Sequence, residues 1–439
     1  MAKSNLRKHL NADALIDTLQ QRFDKVIDTR VKPTCSLADA LMSGFALFAL
    51  KDPSLLAFDA RRHDVNSNLH TIFGIANVPC DSQMRAILDE VEPPSLRPCF
   101  TDLFRQLQRG KTLADFVFLE GHYLLSFDGS EYFTSQKIHC PHCLVKQHRN
   151  GTVTYHHQML TAVLVQPDFR EVLPFMPEPI LKQDGSTKND CELNAAKRFF
   201  RGFRVDHPHL PVIATGDGLT ANAPLIRLLR NLKIVPLLVA KPGDHAFLFE
   251  HMETAFAAGQ TQVFSCTDAK NQTVQHYRWL TQVPLNEANQ DVLVTMLEYW
   301  EIKDSKVLFY CSWVTDLEVR ENNVGWLVLG ARAHWKIENE TFNTLKNQGY
   351  HFDHNFGHGK NHLAVVFPLL MMLAFASDQI QQLCCTLFQA AWQKKGSKRG
   401  LWDELRHLFH SFALASMAEL YEAIVYGLDK QKPILLNSS

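Results

Sequence analysis

The sequence predicts an α/β protein: a mixed sheet flanked by helices, with a helical region at each end and a strand-rich segment inside. Three observations lead there. Apolar runs of strand length, bounded by turn residues, begin at Tyr123 and recur as far as Val319. Within them, Pro211 to Ala240 reads strand, helix, strand, the unit from which α/β sheets are built. Outside them, residues 1–118 and 363–439 have helical character.

Taken in order, residues 1–118 hold four helical stretches. Ala12 to Ile27 carries Leu15, Leu19, Phe23 and Val26 at helical steps. Ser36 starts an apolar helix through Leu50, Ser82 to Val91 stops at Pro93-Pro94, and Ser95 caps a fourth that runs to Gly110. Basic residues cluster in the first and fourth: Lys3, Arg7, Lys8, Arg22, Lys25, Arg30, Lys32, then Arg97, Arg105, Arg109 and Lys111. They form either a solvated face or a surface for phosphates.

Residues 119–255 open with HYLLSFDGSEYF, IHCPHCLVKQH, TYHHQMLTAVLVQP and REVLPFMPEPI, which read as an antiparallel meander. Asp184-Gly185 marks a turn before a helix from about Lys188. Asp184, Asp190 and Glu192 then read as structural carboxylates, which favour the first turn of a helix. Residues 256–320 alternate strand-like runs with polar turns and are too long to be a loop. Residues 321–362 form a helix and a histidine-rich loop, NQGYHFDHNFGHGKNHL. Residues 363–439 are helical, interrupted by the basic Gln393 to Gly400.

Composition limits the function. The 45 Lys+Arg and 46 Asp+Glu leave a net charge of −1, so any nucleic-acid surface has to come from local segregation of charge. Ten cysteines without regular spacing, and no apolar signal-peptide core at the N-terminus, lead us to expect reduced thiols in a cytoplasmic protein. The apolar run Leu363 to Ala376 is short for a membrane span and contains Pro368, so it reads as one or two buried helices. Cys140 and Cys143 form half of a zinc site. His139, His142, His148, His156 and His157 stand nearby as further ligands, and no second Cys-x-x-Cys follows. A structural Zn²⁺ and a pair of reduced cysteines in a tight turn both fit.

The sharpest chemistry lies in Asn323 to Lys346. Val324, Leu327, Val328, Ala331, Trp335, Phe342 and Leu345 recur at helical steps, and Glu338 falls on the same stripe. A carboxylate on a packing face is costly unless cations or strong hydrogen bonds meet it. Two aspartates could share such a cation: Asp128 in HYLLSFDGS and Asp217 in PVIATGDGL, each read as closing an apolar strand before glycine. Oxygen donors of this kind suit Mg²⁺ or Mn²⁺, and a pair of such ions can clamp both oxygens of a phosphoryl transfer.

The stretch HWKIENETFNTLK resembles the signature helix of bacterial insertion-sequence transposases of the DDE superfamily, in the branch with a β-rich insertion before the catalytic glutamate. Trp335, Ile337 and Glu338 match its pattern, and Lys346 lies one residue beyond the position of its lysine. Ala331 stands where that branch carries Tyr and His334 where it carries Arg, and Glu340 competes with Glu338. The resemblance implies an RNase H-like core and Mg²⁺ or Mn²⁺ held by Asp128, Asp217 and Glu338, with His334 and Lys346 steadying phosphate oxygens. It implies double-stranded DNA as partner, namely the element's terminal repeats and target DNA. Arg332, Lys360, Lys197 and Arg198 are candidate contacts, and Trp279, Trp300 or Trp313 would hold a flipped base. It further implies a homodimer on DNA and a cytoplasmic, nucleoid-associated location. Two alternatives stay open: a non-catalytic, domesticated DNA-binding regulator, and a nuclease on the same fold.

Overall fold

In the computed structural model, residues 7–64, 66–182 and 190–428 are described. Lys3, the Asp184-Gly185 turn and Lys188 lie outside them.

The strands are β1 (Val117–Leu119), β2 (His122–Ser135), β3 (Leu144–Gln147), β4 (Val153–Val165), β5 (Leu173–Pro174), β6 (Glu178–Ile180), β7 (Val212–Gly216), β8 (Val235–Val239), β9 (Gln262–Asp268), β10 (Thr273–Pro284), β11 (Leu293–Lys303) and β12 (Lys306–Thr315). They join one sheet whose main path runs β3-β4-β2-β7-β8-β12-β11-β10-β9. β2 pairs antiparallel with β4, but parallel with β7, which is in turn parallel to β8. The expected strand from Arg170 to Ile180 is instead the two short pieces β5 and β6. Pro174 and Pro177 lie in and between them, and proline cannot donate to a ladder.

The strand-rich segment 256–320 extends the same sheet. Val314 of β12 pairs with Leu238 of β8, so the four strands β9–β12 continue where the α/β part ends. The sequence period marks these as strands but carries no sign of that partner, because sheet pairing is non-local.

Among the described residues, six α-helices precede the sheet: α1 (Ala12–Phe23), α2 (Leu37–Ala49), α3 (Leu55–Asp64), α4 (Asn66–Thr71), α5 (Asp81–Asp89) and α6 (Arg97–Arg109). Within the sheet region, α7 (Glu192–Asp206) leads into β7, α8 (Ala223–Asn231) links β7 to β8, and α9 (Ala246–Ala257) leads to β9. After β12 come α10 (Val324–Arg332), a π-helical turn (Ile337–Phe342) and α11 (Asn343–Asn347). The chain ends in α12 (Leu363–Cys384), α13 (Thr386–Lys395), α14 (Lys398–Ser411) and α15 (Met417–Tyr426).

The two helical ends, far apart in sequence, share one core. Phe48 of α2 meets Phe367 of α12, and Phe73 meets Phe409. At their centre Lys51 Nζ lies 2.6 Å from Asp378, and Tyr350 donates to the same carboxylate at 2.5 Å. Burial alone would pull the proton off Lys51, and the Asp378 charge opposes it.

Helix α12 is long and apolar enough to cross a membrane, yet it is wholly buried inside the protein. It runs unbroken through Pro368. A proline within a helix removes the bond to the carbonyl four residues earlier, here Ala364, and Tyr132 of β2 donates its hydroxyl to that oxygen at 3.0 Å. The basic stretch 393–400 divides α13 from α14 at Gly396, which takes the left-handed conformation common just after a helix.

Among the described residues, half of the N-terminal basic cluster is neutralised within the fold. Arg7 pairs with Asp115, Arg22 and Arg105 with Asp102, Arg30 with Asp28, and Arg97 with Asp206. Lys8, Lys25, Lys32, Arg109 and Lys111 remain exposed.

Candidate metal centre at the carboxyl ends of two parallel strands

Ser126 of β2 is in register with Thr215 of β7. Two residues further along each chain stand Asp128 and Asp217. In parallel neighbours, equal steps from a paired position keep the same face, and the strands lie about 4.8 Å apart. The two carboxylates are therefore side by side at the carboxyl end of β7, where open α/β sheets receive ligands.

Their local structures differ. Asp217 makes the expected turn: its side chain accepts from Leu219 N at 3.1 Å, and its carbonyl accepts from Thr220 Oγ1 at 2.6 Å. Asn222 then caps α8. Asp128 does not close its strand, contrary to the expectation from Asp-Gly. β2 runs on to Ser135, with Gly129 paired to Leu160, so the β4 ladder overrides the turn.

The glutamate segment also departs from the single striped helix. α10 ends at Arg332, residues 333–334 turn, and the π-helical turn follows. Each change alters the angular step, so the phase of the buried face shifts. Trp335 is 49% exposed and Glu338 lies on the exposed side, while Lys336, Ile337, Thr341 and Phe342 face inward. Gly330 lets α10 approach the sheet closely. A Cβ there would stand 2.6 Å from Phe118 and 3.3 Å from Leu124.

His334, in the turn, docks onto the strand that carries Asp128. Its Nδ1 is 2.8 Å from Ser126 Oγ, which also donates to the His334 carbonyl at 3.3 Å. Burial lowers the His334 pKa, opposed by the Asp217 charge and a hydrogen bond to the Thr215 backbone. Lys336 next to it is buried, with Nζ donating to the Phe169 carbonyl.

Charge crowds around Asp128. Burial, joined by the charges of Asp217, Glu192 and Glu338, pushes its pKa up to about 7 against a hydrogen bond from Gly129 N. Glu340 is not in that set. It faces Lys336 and Lys398, in a cleft between Arg170, Gln382 and Arg399. Glu192 was read from sequence as a structural helix-start carboxylate. It does begin α7, but its side chain lies across Gly129, where a Cβ would stand 2.4 Å from its carboxyl carbon. Burial and the Asp217 charge raise its pKa. Asp190 is the structural one, paired with Arg198 at 2.8 Å. Lys241, exposed and not singled out in the sequence, lays its stem against Gly218 beside Asp217.

The other expected contacts scatter. Lys346 sits 3.7 Å from Asp353. Arg332 pairs with Glu301 at 3.3 Å and covers the Phe309 ring at 4.5 Å. Arg198 is no free phosphate ligand, since Glu178, Asp190 and the Pro179 carbonyl occupy its guanidinium. Lys197 is half-buried on α7, and the Lys360 side chain is exposed while its backbone N–H binds Asp89. Trp279 and Trp313 are core residues that could not hold a flipped base. Trp300 is only half-buried, beside Tyr310 and Arg278.

A second cluster lies at the far end of β2. Cys140 and Cys143 are joined by His157, and these are the only three metal-binding side chains among the described residues whose ligand atoms all fall within 4.8 Å. The sulfurs are 3.7 Å apart, with His157 Nε2 at 3.3 Å and 3.2 Å from them. A hydrogen bond from Cys143, with another from His157, holds the Cys140 thiol far below its ordinary pKa and raises Cys143 in exchange.

No protein-family model matches this sequence, and no curated protein does. Among solved structures the chain is similar to the piggyBac transposase in the cryo-EM structure of its synaptic complex with hairpin DNA. Identity is 12% and the TM-score 0.41, over 98% of this chain and 83% of that one.

Proposed function

We propose that the chain is a DNA transposase that cuts the ends of a mobile element and joins them to target DNA, and that Asp128, Asp217 and Glu338 hold its Mg²⁺ or Mn²⁺. The observation that carries this reading is the register of β2 and β7, which sets two carboxylates side by side, with the Glu338 charge acting on the same Asp128. The antiparallel start of the sheet, followed by parallel β7 and β8, supports an RNase H-like core.

The donor set fits hard divalent cations. All its donors are carboxylate oxygens, and burial, reinforced by the neighbouring carboxylates, keeps Asp128 protonated until a cation takes the place of its proton. Bound there, such ions supply charge neutralisation and an activated water or hydroxyl for phosphodiester cleavage. The chain's own residues arrange the rest. Asp217 is locked by its turn, while Asp128 is held by the β4 ladder, paired with Thr161. His334, neutral through burial, pins the glutamate segment to Ser126 and acts as a positioning residue, without the positive charge of the Arg it replaces. Glu192 adds a fourth carboxylate from the α7 side. Exposed Lys241 and Lys360, with half-buried Lys346, are cations available to DNA phosphates, the last by exchanging Asp353 for phosphate.

The test is a strand-cleavage assay on the DNA that flanks the protein's own gene, with Mg²⁺ or Mn²⁺ varied. Cleavage and joined products are expected from wild type and from Glu340→Ala, and neither from Glu338→Ala. Cleavage without joined products would identify a nuclease. End binding without metal-dependent cleavage would identify a regulator, the reading that an uncharged His334 favours.

A further inference from the structure

We propose that Cys140, Cys143, His157 and His358 bind one Zn²⁺ in a closed tetrahedral site, which clasps the loop following the glutamate segment to the β3–β4 hairpin. The inference is independent of the transposase reading, since it uses none of the carboxylates.

The three hairpin ligands already have metal-site spacing. Two thiolates about 2.3 Å from a tetrahedral ion lie about 3.8 Å apart, and the sulfurs here are 3.7 Å apart. That separation is far beyond a disulfide bond of about 2.05 Å. The His157 nitrogen sits a few tenths of an ångström inside the roughly 3.6 Å that such an ion would set between nitrogen and sulfur. The cysteines form a tight turn, with Cys143 N donating to the Cys140 carbonyl at 3.2 Å and Cys140 N to Cys143 Sγ at 3.3 Å.

His358 comes from the loop between α11 and α12. Its ring centroid is 5.1 Å from that of His157. Two imidazoles on one tetrahedral zinc, each nitrogen about 2.05 Å from the metal, place their centroids roughly 5 Å apart. Asn355 Oδ1 lies 3.1 Å from His358 Nδ1. That contact assigns the proton to Nδ1 and leaves the lone pair on Nε2, as the outer partners of zinc-bound histidines do. Nε2 itself is buried and meets no hydrogen-bond partner among the described residues. That nitrogen does not stand within 4.8 Å of all three hairpin ligand atoms, so the loop has to close onto the ion to complete the set, and a buried, unmatched acceptor next to the second imidazole is the group available to do so. Aromatic rings hold the pair in place, Tyr132 stacked on His157 and Phe133 edge-on to His358.

Three of the other histidines near the hairpin point elsewhere. His139 stacks on Tyr155 and its Nδ1 contacts the Lys137 carbonyl, His148 bonds Thr154, and His156 alternates to the opposite face of β4 from His157. Two sulfurs and two nitrogens complete a tetrahedron with no open position. The zinc is therefore structural, and its effect is to fix where the chain goes after Glu338.

The test uses the full chain purified with and without added zinc. Elemental analysis should find one zinc per chain, and Co²⁺ exchanged into the site should give the intense visible bands of tetrahedral thiolate–imidazole coordination. His358→Gln should weaken those bands and release metal to a chelator at least tenfold faster, whereas His139→Ala should change neither. His358→Cys, which keeps four ligands, should retain the metal and strengthen the sulfur-to-cobalt charge-transfer band, so poor folding of the Gln variant would not hide the answer. No zinc uptake, a Cys140–Cys143 disulfide by mass, or a cobalt spectrum unchanged in both His358 variants would overturn the proposal.

Discussion

The carboxylate cluster and the thiolate cluster both touch β2, the first at Asp128 in its middle and the second near its carboxyl end, and they are built on opposite principles. Asp128, Asp217, Glu192 and Glu338 are hard donors within electrostatic reach of one another, and burial together with that repulsion keeps Asp128 on its proton until something positive arrives. Cys140, Cys143 and His157 are soft donors that already share protons among themselves, buried and close-packed. The first arrangement suits an exchangeable ion that does chemistry, the second an ion that stays. Strain marks the place where work is done, and satisfaction marks the place where shape is kept.

The widest gap between the two should appear in cleavage. Asp128→Asn and Glu338→Ala each remove a cation ligand and should lower strand cleavage by about a thousandfold or more, a barrier increase of several kcal/mol. Glu340→Ala should stay within severalfold of wild type. Equal losses at Glu338 and Glu340 would break the assignment.

Stability separates the regions in the opposite sense. Lys51→Met strips the partner from buried Asp378 and Tyr350, far from either cluster, and should cost about 3–5 kcal/mol in urea unfolding. Asp128→Asn should instead leave the metal-free chain as stable as wild type or more so at pH 8. A destabilised Asp128→Asn would mean that the carboxylates are not in conflict.

The pH dependence follows with its sign. Asp128 has a folded-state pKa near 7, above its unfolded value, so its contribution favours folding most at low pH and is lost as pH rises from about 4 to about 7. A divalent cation competes with that proton. Mg²⁺ or Mn²⁺ affinity, read by calorimetry, should fall about tenfold per pH unit below 7 and level off above it. A flat profile from pH 5 to 8 would remove Asp128 from the ligand set.

Glu192→Gln should give the smallest effect. Without its charge the Asp128 pKa falls, which moves the affinity profile to lower pH and changes cleavage by less than about tenfold. A loss as large as that of Glu338→Ala would make Glu192 a principal ligand.

The legibility of these features divides along physical lines. Helical ends, the meander and the strand–helix–strand of residues 211–240 are local patterns and could be read directly. The turn at Asp217 was legible because aspartate bonds its own following backbone, whereas the same dipeptide at Asp128 was misread because β4 supplies a stronger partner. Glu338 stood out by its neighbours Trp335 and Ile337. Its exposure did not, since a π-helical turn breaks the period on which the stripe depends. Glu192 looked like an ordinary first-turn carboxylate, and only the missing side chain at Gly129 reveals where it goes. His358 lies some two hundred residues from the cysteines, a distance no spacing rule covers.

The pairing of Ser126 with Thr215 has a further consequence. Backbone hydrogen bonds, each repeating every two residues, act as a ruled scale, and the aspartates are marks on it. Substitutions in the surrounding core can soften or shift side chains without altering that scale. A slip of one residue between β2 and β7 would turn Asp217 to the other face and erase the pair outright. The spacing of the two acids is digital, and a site so ruled tolerates drift everywhere except in the count.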